Sequence, residues 1–178
     1  RLVSEKGADL YVQTLKSIAS IFPDWNFGLI GSFRLGEHKN TNSYAHRVIK
    51  SYKEIGSQAI FYGFKNHKFV EEKMKTSSII VIPSIWEEPF GLVAGEGMNN
   101  GISIIASKVG GMPEIIGDNG ILIENINYQK LKKNLIELLQ NRSLRERYQQ
   151  KAWENFKLSS ALSSRKLDVY RRTIFQNY

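Results

Sequence analysis

The chain has 178 residues, of which 42% are hydrophobic and 11% aromatic, which is material for one well-buried core and little room for two. It has no cysteine, so a disulfide framework is excluded and a reducing compartment, the cytoplasm, is expected. No run approaches the roughly 20 apolar residues of a membrane span.

The formal net charge is +8, and it attracts anions in general. The basic residues are scattered among glutamates on helix-like segments, so a solvated charged face is the leading explanation. Peripheral contact with an anionic membrane surface ranks second. Nucleic acid ranks last, because no stacking-aromatic or groove-reading motif accompanies the charge.

Hydrophobic periodicity predicts alternating helices and strands in the first half of the chain. In chain order these are a helix from about Gly7 to Ile21, a strand at 27–30, a long polar loop at 32–42, a helix around 45–52, a strand at 59–62, a short helix around 69–74 and a strand at 79–82. The loop at 32–42 is longer than the connections usual in such a pattern, and its role stays open.

The second half continues the alternation and ends in helices. The predicted elements are a helix that begins near Gly91, a strand at 103–106, a Gly-Gly loop, a strand at 121–123, helices capped by Asn127 and by Asn141 or Ser143, and a final helix over 165–178. Each strand is apolar on both faces and separated from the next by a helix. This pattern predicts a doubly wound α/β domain with a parallel sheet, whose ligand binds at the carboxyl ends of the strands.

The most informative stretch runs from Pro83 to Gly101. An apolar run stops at Pro83, and two carboxylates, Glu88 and Glu96, flank the entrance of the helix that begins near Gly91. The first turn of a helix has unpaired N–H groups and a partial positive charge, and it therefore suits a phosphate. Two hydrogen-bond acceptors around such an anion pocket suit a nucleotide-sugar, which has hydroxyls on both sides of its diphosphate.

Three motifs, in order along the chain, resemble those of retaining GT-B glycosyltransferases of family 4. Glu88 and Glu96, with seven residues between them and Pro-Phe-Gly-Leu-Val after the first, resemble the E-x7-E motif. The opening residues 1–7 resemble the phosphate-binding G-R-L-x-x-x-K-G segment without its leading glycine, and 106–114 resembles A-S-x-x-G-G-x-P-E. The likeness extends over about the whole chain.

The resemblance implies roles for particular residues. Glu88 would bind donor-sugar hydroxyls near the reacting centre, and Glu96 would bind the ribose. Arg1 and Lys6 would stabilise the charge that grows on the leaving diphosphate, so they are counted with Glu88 as catalytic. The other expected substrate-binding positions are Phe90, Gly91, Leu92 and Val93 through their backbone amides, Phe64 at the base, and Gly110 and Gly111, although these two glycines also suit a simple turn.

The same resemblance makes residues 1–178 the donor-binding, C-terminal half of a GT-B enzyme, with 159–178 as a linker and crossover helix. Its partners would be a nucleotide-diphosphate sugar and an N-terminal acceptor-binding domain that this sequence does not contain. The fragment alone is expected to bind nucleotide-sugar weakly and to transfer nothing. The family's commonest role predicts cell-envelope polysaccharide or lipopolysaccharide synthesis in the cytoplasm, at the inner face of the membrane.

No metal or other cofactor is expected. His38, His46 and His67 lack metal-ligand spacing, and there is no cysteine. There is also no Asp-x-Asp, the motif with which metal-dependent GT-A transferases hold a diphosphate. Arg1, Lys6 and backbone amides would meet that charge instead.

Rival interpretations stay open. A glutamate pair at this spacing is common by chance and is often only a solvated surface feature. A glycoside hydrolase with Glu88 and Glu96 as its carboxylate pair is the first functional rival. A non-catalytic nucleotide- or polyanion-binding module, supported mainly by the charge of +8, is the second. A nucleotide-sugar epimerase shares the predicted fold and is a closer alternative, but the E-x7-E context argues against it.

Overall fold

The computed structural model describes residues 2–32 and 43–156. The predictions for Arg1, for most of the loop at 32–42 and for the segment at 159–178 lie outside these residues. Within the two described ranges, no helix is long and apolar enough to span a membrane.

The elements alternate as the periodicity predicts. They are α1 (Ala8–Ile18), β1 (Phe27–Ile30), α2 (Ser43–Lys53), β2 (Ala59–Gly63), α3 (His67–Lys75), β3 (Ile79–Ile82), α4 (Leu92–Asn99), β4 (Ser103–Ser107), α5 (Met112–Ile116), β5 (Ile121–Ile123), α6 (Tyr128–Gln140) and α7 (Arg142–Asn155). The first helix is α-helical only to Ile18, because its last three residues form a 3-10 turn. The short α5 was predicted only as part of a Gly-Gly loop.

All strand pairs are parallel, and the α/β fold class is confirmed. The hydrogen bonds among described residues nevertheless divide the strands into two sheets, β1–β2 and β3–β4–β5, where the sequence predicted one. β4 lies between two neighbours and is buried along its whole length, whereas β1 and β3 are mostly half-buried. The difference follows from position, because only an interior strand is covered on all sides.

The opening segment connects the carboxyl ends of the two sheets. The Leu2 N–H donates to the Ser32 carbonyl just after β1, at 3.0 Å, and the Ile85 N–H, just after β3, donates to the Glu5 carbonyl at 2.9 Å. The carboxyl ends of β1 and β3 therefore lie side by side, with the opening residues between them.

Two apolar clusters hold the helices against the strands. The larger joins α1 and α2 to β1 and to one face of α6, and the smaller lies beneath α4 and α5. The α6 face matches the predicted leucine pattern, since Leu131, Leu135, Leu138 and Leu139 are all buried. Each fully buried leucine contributes about 1.5–3 kcal/mol of transfer free energy. The predicted caps are also present: Asn127 and Asn141 accept N–H bonds at the starts of α6 and α7.

Candidate functional site

Four segments of the predicted site follow one another along the carboxyl edge of the strands. They are the opening segment that ends in Lys6, Phe64 after β2, residues 84–91 after β3, and the Gly-Gly loop after β4. The carboxyl ends of parallel strands lie at one edge of each sheet, and the opening segment joins the two edges, so motifs that are distant in the chain come together.

The junction between Lys6 and α1 depends on Gly7. This residue has a φ of 62°, in the left-handed region, and a Cβ added to it would lie 2.9 Å from the Pro83 carbonyl carbon. Only glycine combines this backbone conformation with so close an approach. The opening of α1 therefore packs directly on the end of β3, and this packing places Lys6 beside the loop that carries Glu88.

Lys6 and Glu88 form an ion pair at this junction. The Lys6 ammonium bonds Oε1 of Glu88, and the Ser84 hydroxyl donates to the same oxygen at 3.1 Å. The side chains of Lys6 and Glu88 are 35% and 17% exposed, so the pair is partly shielded from water and its attraction is less screened than that of a surface pair. The structure thus brings one predicted cation and one predicted acid together.

The Gly-Gly loop packs on the backbone of the Glu88 loop. The Gly111 N–H donates to the Glu88 carbonyl at 2.7 Å, and the Gly110 N–H donates to the Glu87 carboxylate at 2.6 Å. A Cβ on Gly110 would lie 2.5 Å from the Glu88 nitrogen, and one on Gly111 would lie 2.7 Å from the Pro89 oxygen. The requirement for glycine at both positions is therefore explained by packing between two protein segments.

The N-terminus of α4 is open on the side away from the core. Gly91 caps it with a φ of 53°, and its missing Cβ faces Met112 and Ile115 of α5, at 3.0 and 3.2 Å. Glycine is therefore required here by the turn and by α5. The neighbouring side chains Phe90 and Leu92 are each 74% exposed, so the core formed by the described residues does not cover the N-terminus of α4.

Glu96 lies toward the β2 side of the site. Its Oε1 is 3.8 Å from Nδ1 of His67, the first residue of α3, and its side chain is 38% exposed. Phe64, just ahead of α3, is 70% exposed. The two glutamates therefore have different surroundings: Glu88 contacts Lys6 and Ser84, whereas Glu96 contacts the start of α3.

Several contributors were missed by sequence reasoning. Ser84 and Glu87 make the contacts that fix the Glu88 loop, and His67 lies beside Glu96. A serine in a polar turn carries no distinguishing signal, and the histidine was weighed only as a metal ligand. In the described part of the chain, no three His, Asp or Glu side chains form a group that could hold a metal.

Comparisons with known proteins identify the family of this chain. The family model for glycosyl transferases group 1 matches residues 1–155. An uncharacterized glycosyltransferase of Methanocaldococcus jannaschii is 36% identical over 146 residues, which are 81% of this chain but 38% of that protein. The chain thus spans about two fifths of the length of this curated relative.

Solved structures show the same fold. The C-terminal domain of a glycosyl transferase group 1 family protein from Francisella tularensis superposes with a TM-score of 0.74 at 24% identity, covering 89% of this chain and 84% of that one. HepE of Anabaena, in complex with UDP-glucose, gives a TM-score of 0.74 at 21% identity, over 96% of this chain and 47% of that one. The described residues have the Rossmann-like architecture of such GT-B domains.

Proposed function

Because the chain belongs to the glycosyl transferases group 1 family, we propose that it is the donor-binding half of a retaining glycosyltransferase that takes a nucleotide-diphosphate sugar. One observation carries the proposal most directly: Lys6 pairs with Glu88, which lies in the loop that leads from β3 to the open N-terminus of α4. A cation, a carboxylate and free helix amides are the groups that a sugar diphosphate needs. HepE, a structural neighbour, was solved with UDP-glucose.

In this proposal the diphosphate lies at the first turn of α4, against the amides of residues 90–93. Lys6 turns toward it, and Lys6 and Arg1 stabilise the charge as the sugar–phosphate bond breaks and its electron pair leaves with the diphosphate. The acceptor hydroxyl oxygen forms the new bond to the sugar carbon, and its proton passes to the released diphosphate. Glu88 holds sugar hydroxyls near the reacting carbon. Glu96, on the β2 side, accepts hydrogen bonds from the ribose, which places the base near Phe64.

No metal is needed in this scheme, because side-chain cations and helix amides meet the diphosphate charge. We therefore expect donor binding to be unchanged when EDTA is added. The packing of Gly110 and Gly111 on the Glu88 loop gives these glycines a supporting role, and any contact with the sugar would come through the exposed backbone of Gly110 or the half-buried backbone of Gly111.

The whole protein is proposed to contain a second, acceptor-binding half, with 159–178 as linker and crossover helix. Its expected setting is the cytoplasmic side of the membrane, in the assembly of cell-envelope polysaccharide or lipopolysaccharide. That setting rests on the family resemblance. The net charge of +8, which attracts anionic lipid, adds to it.

Calorimetry on the full chain tests the donor site. Titration with nucleoside diphosphates and their sugars should show micromolar to millimolar binding. Glu96→Ala should weaken the nucleoside diphosphate about tenfold, the loss typical of a hydrogen bond to a charged group. The matched control is Glu146→Ala, which removes an exposed carboxylate paired with Arg142 on α7, away from the site.

Other outcomes would favour the rivals. Binding that is indifferent to Glu96→Ala and falls steeply with salt would indicate a polyanion surface. Hydrolysis of free glycosides by the full-length protein, with no nucleotide donor present, would favour the hydrolase. Rapid sugar transfer by the 178-residue chain alone would contradict the division into donor and acceptor halves.

A further inference from the structure

We propose that Ser84 is a positioning residue that keeps the Glu88 carboxylate aimed at the donor sugar when Lys6 turns to the diphosphate. The inference rests on the proposed function and assigns a task to a side chain that no motif of the sequence singles out. It starts from an asymmetry: among the described residues, the two donors that reach the Glu88 carboxylate, Lys6 and Ser84, bond the same oxygen, Oε1.

Ser84 is well placed to hold that oxygen. It is 2% exposed, and the next residue, Ile85, is tied through its N–H to the Glu5 carbonyl at 2.9 Å. Its hydroxyl therefore projects from a fixed backbone, and a short side chain with one rotatable bond holds its direction better than a lysine does. The bond to Oε1 at 3.1 Å leaves Oε2 as the oxygen of Glu88 that is available to a ligand hydroxyl.

Lys6 cannot supply this constraint by itself. Its ammonium is a point charge on a flexible four-carbon stem, and it is 35% exposed. A bound diphosphate carries more negative charge than one carboxylate, so it draws the ammonium away from Glu88. Once Lys6 has turned, Ser84 is the donor that remains on Oε1 among the residues that the structure describes. The carboxylate therefore keeps its orientation.

The test separates the sugar from the rest of the ligand. For the full chain, calorimetry gives the ratio of affinities for a nucleotide-sugar and for the matching nucleoside diphosphate. Ser84→Ala should reduce this ratio about tenfold while the nucleoside diphosphate affinity changes less than about twofold. Ser84→Thr, which keeps the hydroxyl, should restore it. In a Glu88→Ala background, which has no side-chain acceptor for the hydroxyl, Ser84→Ala should have little further effect.

A buried serine elsewhere provides the control. Ser103 is 0% exposed and donates to the Arg145 carbonyl at 2.8 Å, so Ser103→Ala removes a comparable hydrogen bond away from Glu88. It should leave the ratio unchanged. Equal losses for nucleotide-sugar and nucleoside diphosphate in Ser84→Ala would overturn the inference, because they would show a general disturbance of the loop.

A second measurement needs no ligand. Urea unfolding of the single and double variants at 84 and 88 should give a coupling of about tenfold in the unfolding equilibrium constant. Additive effects would overturn the Ser84 inference alone and leave the donor site intact. A wild-type chain that does not distinguish nucleotide-sugar from nucleoside diphosphate would overturn the positioning role together with the proposed function, whatever the coupling.

Discussion

Replacing Gly110 by alanine should disturb the site through its backbone alone. The residue has a φ of 51°, and the added Cβ would lie 2.5 Å from the Glu88 nitrogen and 2.8 Å from its carbonyl carbon. These atoms are backbone and cannot rotate away. Either the Glu88 loop or the Gly-Gly loop must therefore move by several tenths of an ångström.

The expected loss of stability has two parts. A non-glycine residue in the left-handed region costs about 1–2 kcal/mol, and overpacking in a close contact adds about 1–3 kcal/mol. The free energy of unfolding should therefore fall by about 2–5 kcal/mol in Gly110→Ala. Because the Cβ pushes on the residue that carries the carboxylate, nucleotide-sugar affinity should fall as well.

Urea denaturation measures the first effect, and Gly63→Ala is the control. Gly63 has a φ of 67°, but nothing lies within 4 Å of its added Cβ, so this variant carries the backbone cost without the collision. The difference between the two variants isolates the contact with Glu88. Equal losses in both variants would refute the argument that the close contact between the two loops requires glycine at position 110.

Three further predictions concern other parts of the fold. Gly7→Ala, whose Cβ would lie 2.9 Å from the Pro83 carbonyl carbon at a φ of 62°, should destabilise the chain by about 2–5 kcal/mol in the same assay; a loss under 1 kcal/mol would contradict the packing. Asn127→Ala, which removes the α6 cap, should cost about 1 kcal/mol, and Asn127→Asp should keep most of it. Burial and the bond to Asp9 raise the pKa of Tyr44 to about 12, so its contribution to the unfolding free energy is present below about pH 10 and lost as the pH rises toward 12. Tyr44→Phe should reduce the fall in the free energy of unfolding over that pH interval. An unchanged fall would show that the pKa of Tyr44 is not raised.

Most of the secondary structure was predictable because its signals are local. Helical spacing in α1, α2 and α6 and apolar runs at the strands place the elements within a few residues, and asparagine caps mark where α6 and α7 begin. The short α5 was missed because its five residues are too few to show a period. The division into two sheets was missed because strand pairing is a tertiary property, and an apolar run does not say which neighbour it meets.

The site was predictable only in part. Motif resemblance selected Lys6 and Glu88, which the structure brings together, but it could not show that Ser84 shares the same carboxylate oxygen. The observed roles of Gly110 and Gly111 also differ from the predicted ones. The sequence left open an approach to ligand and a simple turn, whereas in the structure the backbone of Glu88 and Pro89 fills the space that side chains would occupy.

The backbone contact between the two loops has a consequence for engineering. Residues 87–91 and 108–112 are in such close contact that the backbone of one segment cannot move unless the other segment moves as well. A chimera that takes only one of these segments from a relative would inherit a mismatch in shape. In the proposed function, exchanging the loop that carries Glu88 in order to change the bound sugar would therefore call for moving both segments together.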